Sequence, residues 1–328
     1  MWCRMKLATL SDGTKDGKLI VLSSDGSRFL SGETAAPDLQ TALENWEVAD
    51  PQLRSLAARL QKGEGEALHN RILAAPLPRA WQWLDGSAFD SHGRLMARLF
   101  GIQAKQSNLP LMYQGMSHRF LGPQDDVPLP HEAHGIDFEG EFAVITDDVP
   151  MGVTSQAAAA HIKLVVMVND WSLRALAGPE MKTGFGWIQA KPACSMAPFA
   201  VTPDELGAGW AHERVQMRLR VEVNDVWFGE PHGGEMGVSF ADLIAHAAAT
   251  RSLCAGTVIG SGTIANEDHA TVGSTCIAER RAVEILSNGA AATEYLRFGD
   301  RVRMAAVCPN GLSPFGVIDQ RVVGNQSG

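Results

Sequence analysis

Five apolar residues in a row, Leu164-Val165-Val166-Met167-Val168, run straight into Asn169-Asp170. The stretch falls far short of the roughly 20 residues that span a bilayer, and together with its turn-forming end it reads as a buried β-strand. The carboxylate at that end needs a partner, unless Asn169-Asp170 simply makes an Asx turn. Similar strand-like pieces recur at 142–145, 215–223, 257–259 and 301–307. Helical spacing is clear only at 155–161 and 239–250, where Ser239 fits an N-cap. The larger part of the chain is therefore predicted to be β-dominated.

The beginning of the chain has a different texture. Short β-like pieces at 7–10 and 19–22 are punctuated by Asp12-Gly13, Asp16-Gly17 and Asp25-Gly26, which are hairpin signals. Leu39, Leu43, Trp46, Leu53, Leu56 and Leu60 then fall largely at helical spacing, with Pro51 as the expected break. Two prolines in the run Ala74-Ala75-Pro76-Leu77-Pro78 favour an extended linker. A length of 328 residues suits about two domains. The expectation is a small α+β domain over 1–78 and a larger one over 79–328, with an α+β fold class overall.

Charge and cysteines narrow the function. Lys and Arg number 28 against 37 Asp and Glu, a net charge of −9, the wrong sign for a chain that neutralises phosphates. Neither nucleic acid nor membrane is expected as a partner. The start Met1-Trp2-Cys3-Arg4-Met5-Lys6 lacks the charged and then apolar regions of a signal peptide, so a cytoplasmic location is expected. Cys3, Cys194, Cys254, Cys276 and Cys308 are scattered and odd in number, and read as reduced core residues.

Several motifs fail on context. Lys182-Thr183-Gly184 lacks the other serine β-lactamase elements, and Gly260-Ser261-Gly262 opens no helix and so marks no dinucleotide site. P-loop and nucleophile-elbow patterns are absent from the sequence. His131 and His134 sit in a Pro-rich loop and read as surface residues rather than metal ligands.

More promising is 135–145, whose alternation sends Asp137, Glu139 and Glu141 to one face. Three like charges on one face fit either a solvated edge or a site for a hard divalent ion such as Mg²⁺, Mn²⁺ or Ca²⁺.

Taken in order, Asp137-Phe138-Glu139-Gly140-Glu141, Asn169-Asp170-Trp171-Ser172-Leu173-Arg174, Lys191-Pro192 and Gly260-Ser261-Gly262-Thr263 resemble the fumarylacetoacetate hydrolase superfamily. Gly299-Asp300-Arg301-Val302 and Phe315-Gly316-Val317-Ile318 add to the likeness. It covers roughly residues 80 to 323, and the first part of the chain resembles the accessory domain of longer bacterial members. The resemblance implies a mixed β-roll or β-sandwich catalytic domain and a homodimer.

It further implies a divalent ion, Mg²⁺ first and Mn²⁺ or Ca²⁺ next, held by Glu139, Glu141 and Asp170, with Asp137 supporting from outside. Hydrolases of the family proper carry one more Asp ligand about seven residues before a catalytic His. With the His taken as His118, five residues after Tyr113, that position is Leu111, and one anionic ligand is expected to be missing. His118 and Glu279 are then the catalytic pair, and Lys191 is a fixed cation. Tyr113, Arg174, Gly262 and Thr263 are expected to bind substrate, and 184–187 to act as a mobile cover. The substrate-binding Arg, Gln and Tyr of the hydrolases proper have no match at Val127, Ala177 and Met181, so fumarylacetoacetate itself is not the expected substrate.

The activity implied is metal-dependent hydrolysis of a C–C bond in a β-diketo acid such as an acylpyruvate, as in aromatic-compound catabolism. The same metal site serves 2-oxo acid decarboxylases and keto–enol isomerases, which is the alternative. A silent metal-binding protein is a third reading.

Overall fold

Alternation along the apolar strands decides where the core lies. In the computed structural model, which describes residues 4–101, 109–308 and 313–325, the run singled out above lies in the strand Ile162–Asn169. Val165 and Met167 pack to one side with Phe142 and Val144, whereas Leu164, Val166 and Val168 pack to the other with Ala143 and Ile145. Both faces are covered, which is why the run is continuous rather than alternating.

The sheet containing it is the spine of the molecule. It is entered through β1 (Lys6–Leu10), β2 (Lys18–Leu22), β3 (Arg28–Ser31) and β4 (Glu66–Ala67). It leaves through β5 (Gln82–Gly86) and β6 (Met112–Gly115). Among the described residues the order is β4, β3, β2, β1, Ala200–Val201, Ile162–Asn169, Gly140–Thr146, Thr257–Gly260, β5, β6. All neighbouring pairs are antiparallel except Thr257–Gly260 with β5.

One face packs against a second sheet, ordered Val226–Gly229, Arg218–Val223, Arg301–Val307, Val317–Gly324, Val127–Leu129. Leu219, Val221, Val302, Met304 and Ile318 fill that interface, joined by Phe240, Leu243 and Ile244 of the helix Phe240–Ala247. Ser239 caps this helix, and Asp242 accepts the Ser239 N–H in return at 2.8 Å. The other face of the spine is covered by α1 (Leu39–Glu44) and α2 (Trp46–Gln61) through Leu39, Leu43, Leu53, Leu56 and Leu60. The β-dominated, mixed-sheet fold expected from the sequence is the one observed.

Some expectations change in detail. The break between α1 and α2 falls at Asn45, not at Pro51, which sits in the second turn of α2 and there forfeits one backbone hydrogen bond. The 74–78 segment is extended but packed: Ala75 and Leu77 are core residues, and Thr9 donates to the Pro76 carbonyl at 2.7 Å. Cys194 and Cys276 are buried thiols, Cys308 is half-buried and Cys254 is exposed, so the core reading fails for Cys254; Cys3 lies outside the described residues.

Of the helices of eight residues or more among the described residues, three carry no clear signal in the sequence: α3 (Asp90–Phe100), Arg174–Met181 and Ile277–Asn288. Gly93 interrupts the apolar pattern of α3, and Pro179 that of the second helix. No helix among the described residues is long and apolar enough to cross a membrane.

Leu164→Ala, deep beneath α1 and α2, is expected to cost about 2–5 kcal/mol. Urea unfolding should show a lower midpoint at an unchanged slope.

Candidate active site

Strand pairing brings four acids to one end of the spine. Glu141 lies opposite Val168, and Gly140 opposite Asn169, at the start of one strand and the end of the next. On the other side Gly260 pairs with Ala143 and, in parallel, with Asp85, which itself faces Tyr113 of β6. Asp85, Glu139, Glu141 and Asp170 are all buried, and each offers a carboxylate oxygen within 4.8 Å of the others. Only glycine fits at 260, where a Cβ would stand 2.3 Å from Asp85 Oδ1 and 3.0 Å from Glu141 Oε2. The loop beyond it turns at Gly262 with φ +75°, and the Gly262 N–H donates to Asp85 Oδ1 at 3.0 Å. The G-S-G-T loop is thus the cradle of the first acid.

Two cations offset part of this charge. Lys191 Nζ bridges Asp170 Oδ2 at 2.7 Å and Glu139 Oε2 at 3.1 Å, and Arg174 Nη2 meets Glu139 Oε1 at 2.6 Å. Burial pushes the Glu139 carboxyl up, but Lys191 and Arg174 overcome it and hold it at about 2. Burial likewise works against the Lys191 ammonium, yet Asp170 and Glu139 outweigh it and the lysine stays charged, as a fixed cation should. Tyr113 donates to Asp170 Oδ2 at 2.5 Å and Cys194 to Asp170 Oδ1 at 2.9 Å. Burial and then the Asp170 charge push both the phenol and the thiol up, so both remain donors.

Asp85 and Glu141 have no such cation. Burial, followed by the charge of Asp170 on Asp85 and of Asp85 on Glu141, pushes both carboxyls well above the usual range. Both oxygens of Glu141, at 0% exposure, have no hydrogen-bond donor among the described residues. Hard oxygens converging with two of them orphaned are what a Mg²⁺-like ion requires, and the four residues fit one.

Asp137 goes elsewhere, because the alternation that placed three acids on one face is interrupted between Ile136–Asp137 and Gly140–Thr146. It accepts the first amides of the Ile277–Asn288 helix, from Ile277 at 2.7 Å and Ala278 at 2.9 Å, and pairs with Arg174 Nε at 2.7 Å. Arg174, expected to bind substrate, is shared through Nε and Nη2 by Asp137 and Glu139. The Gly262 amide is committed to Asp85 in the same way, and Thr263 is buried beside it. Tyr113 does reach the site, with its ring edge-on to Trp187 at 4.9 Å and Lys191 Nζ 5.3 Å from its centroid. Trp187 belongs to the expected cover, where Phe185 is 98% exposed.

The catalytic pair needs correction. His118 is exposed on the wall of a surface cavity of about 1030 Å³ with Lys15, Asp16, Arg79, Trp81 and Arg119, and none of the four acids lines it. Glu279 is at 0% exposure, and its Oε1 is 3.6 Å from Nδ1 of His92. His92 stands in the first turn of α3, seven residues after Asp85. That is the spacing between acid and His that the resemblance implies, so the acid sought at Leu111 stands at Asp85, within the buried cluster. The mistaken register came from Tyr113 and His118, five apart, whereas Tyr113 enters the site through its pairing with Asp85. Counted from His92, the Arg sought at Val127 falls on Gly101, so that match is still lacking. His92 also lies within electrostatic reach of Glu139.

This order of motifs on this fold is matched by two family models. The one described as fumarylacetoacetate (FAA) hydrolase C-terminal covers residues 82–323, and fumarylacetoacetase N-terminal domain 2 covers 5–79. The chain belongs to the fumarylacetoacetate hydrolase family. Its members are enzymes, hydrolases and tautomerases among them. A 2,4-didehydro-3-deoxy-L-rhamnonate hydrolase of Sphingomonas sp. (strain SKA58) is 27% identical over 49% of this chain. The match spans 56% of that relative, about half its length. The human mitochondrial oxaloacetate tautomerase FAHD2B is 24% identical over 67% of this chain and 72% of its own. A structure of maleylpyruvate hydrolase from Sphingobium sp. SYK-6, in complex with manganese(II) and pyruvate, shares the fold. Its TM-score is 0.66 at 17% identity, with 98% of this chain and 100% of that one covered.

The raised carboxyls of Asp85 and Glu141 set a pH dependence. Above about pH 4.5 the unfolded chain has lost protons that these groups retain when folded, so stability of the metal-free protein falls as pH rises toward the folded values. Glu139 acts oppositely, but only below the unfolded range. Thermal melts should therefore show a Tm that declines from mildly acid to neutral pH without metal. A rise on adding Mn²⁺ should be largest at the higher pH, and a Tm indifferent to Mn²⁺ would contradict the metal assignment.

Proposed function

We propose that this chain is a divalent-metal-dependent hydrolase that cleaves a C–C bond in a β-diketo acid of the acylpyruvate or fumarylacetoacetate kind. The observation carrying this reading is His92: an imidazole backed by a buried carboxylate and placed beside a four-acid cluster is equipped to take a proton from water. Asp85, Glu139, Glu141 and Asp170 would hold the ion, Mg²⁺ or Mn²⁺ by their chemistry. A bound ion supplies Lewis-acid polarisation of the substrate's chelating oxygens.

The protein groups do the rest. With Nδ1–H directed at Glu279, His92 keeps Nε2 free as the base. Water adds its hydroxyl to the acyl carbon, the C–C bond breaks, and the proton passed to His92 is returned to the leaving carbon, giving two organic acids. Lys191 supplies a fixed positive charge beside Glu139 and Asp170, and Tyr113 braces Asp170. The edge-on ring pair of Tyr113 and Trp187, with Tyr113 bonded to Asp170, would limit water around the reacting atoms. We infer a homodimer as the working form, to be checked by sedimentation.

A second reading is keto–enol tautomerisation of a 2-oxo acid, which the similarity to the oxaloacetate tautomerase favours. It would use the same acids and His92 for proton transfer alone. An ultraviolet assay of enol loss on acylpyruvates, fumarylacetoacetate and oxaloacetate, with product analysis, separates the two. Two acids per substrate, formed only with Mg²⁺ or Mn²⁺, are expected. His92→Gln should lower kcat about 10²- to 10⁴-fold, and Asp85→Asn should raise the metal concentration required. Turnover of oxaloacetate enol with no bond cleavage anywhere would establish the tautomerase.

A further inference from the structure

The environment of Glu279 contains more than the pair needs. Its carboxylate is fully buried, and neither oxygen has a hydrogen-bond donor among the described residues. Two imidazoles face the same oxygen: His92 Nδ1 at 3.6 Å from Oε1, and His269 Nδ1 at 3.9 Å. Both nitrogens are themselves buried and, among the described residues, without a hydrogen-bond partner. Two orphaned imidazole nitrogens thus face one orphaned carboxylate oxygen, each a little beyond hydrogen-bond length. Catalytic contacts are often this long before substrate draws them together.

The other charged groups near Glu279 are turned away. Arg280 donates to the Phe228 carbonyl and stacks 4.2 Å over the Phe228 ring. Arg281 lies over Tyr295, and Asp137 is taken up by helix amides and Arg174. On its own helix, the Glu279 N–H donates to Cys276 Sγ at 3.3 Å, a thiol that burial and Asp137 keep protonated. Among the described residues, only the two histidines address the carboxylate.

They approach from different elements. His92 rides on α3, which packs against the Ile277–Asn288 helix. His269 opens the short helix His269–Val272 directly after the G-S-G-T loop. That segment is pinned: Asn266 accepts the His232 N–H at 2.7 Å and donates to the His232 carbonyl at 3.0 Å, and Glu230 N–H donates to Val272 O at 2.6 Å. A rigid imidazole on one side of a carboxylate fixes where its oxygen points on the other.

We propose that His269 is a positioning residue, which through Nδ1–H holds the Glu279 carboxylate aimed at His92 so that the His92 imidazole keeps one tautomer, with Nε2 open toward the acid cluster. His269 touches no reacting atom; it acts through Glu279. The kinetic part of the test rests on the hydrolase reading, and the spectroscopic part does not.

The experiment compares His269→Ala, His269→Asn and His269→Gln in the full-length protein. An Asn places its amide nitrogen where Nδ1 stands, whereas Gln displaces it by one carbon. On whichever diketo acid the wild type cleaves, His269→Ala is expected to lower kcat about 10- to 100-fold with KM changed less than about twofold. His269→Asn should recover most of the loss and His269→Gln little of it. Added to His92→Ala, His269→Ala should cause no further loss, because both act through one group. In parallel, ¹H–¹⁵N spectra of the metal-free protein should show His92 as the single Nδ1–H tautomer in the wild type and in His269→Asn, and as a mixture in His269→Ala. An unchanged His92 tautomer in a folded His269→Ala, or losses from His92 and His269 that simply add, would overturn the proposal. If the wild type cleaves nothing, the hydrolase reading falls while the spectra still decide the role of His269.

Discussion

Burying four carboxylates within a few ångströms of one another is the constraint around which the rest of this structure is arranged. Two cations meet the cluster, Lys191 and Arg174, and Arg174 is shared with Asp137. The uncompensated remainder falls on Asp85 and Glu141, whose carboxyls burial pushes up. A protein without use for an ion would gain by replacing such residues with apolar ones, since buried charge is costly and weakly rewarded. Retaining them requires rigid walls, and the chain supplies these through paired strands and glycines at 260 and 262 that let backbone approach carboxylate closely.

Electrostatic demand also explains the division of labour among the acids. Glu139 sits where Lys191 and Arg174 can reach it and is held ionised at about 2. Asp137, one short strand earlier, leaves the cluster and caps the helix that carries Glu279. The same acid-rich segment thereby builds the candidate metal centre and anchors Glu279, the partner of the proposed base, so both share one piece of backbone.

Much of the spine was legible because its physics is local. A continuous apolar run with a turn-forming end reads as a buried strand, and Asp170 at its end calls for partners unless it makes an Asx turn; the structure gives it Lys191, Tyr113 and Cys194. Glu139, Glu141, Lys191 and Glu279 were legible through an ordered set of motifs. Asp85 and His92 were not, since Trp83-Leu84-Asp85-Gly86 is a short strand with one acid and α3 hides its apolar stripe behind Gly93. Tyr113 and His118 offered the right spacing in the wrong place, and only the pairing of β5 with β6 reveals that Tyr113 faces Asp85 across strands. His269 carried no signal at all: its meaning lies in proximity to a carboxylate ten residues on, across a turn that no periodicity describes.

The continuity of the spine from β4 to β6 ties the first 79 residues to the chemistry at the far end. β1 is hydrogen-bonded to Ala200–Val201, which pairs in turn with the strand leading to Asp170, while α1 and α2 roof the apolar face beneath. Detaching this segment would leave an unpaired strand edge beside bared Leu164, Val166 and Val168, the kind of surface that recruits other chains. The accessory region is therefore less a neighbour of the larger one than its missing edge, and that apolar surface stays covered only while it remains in place.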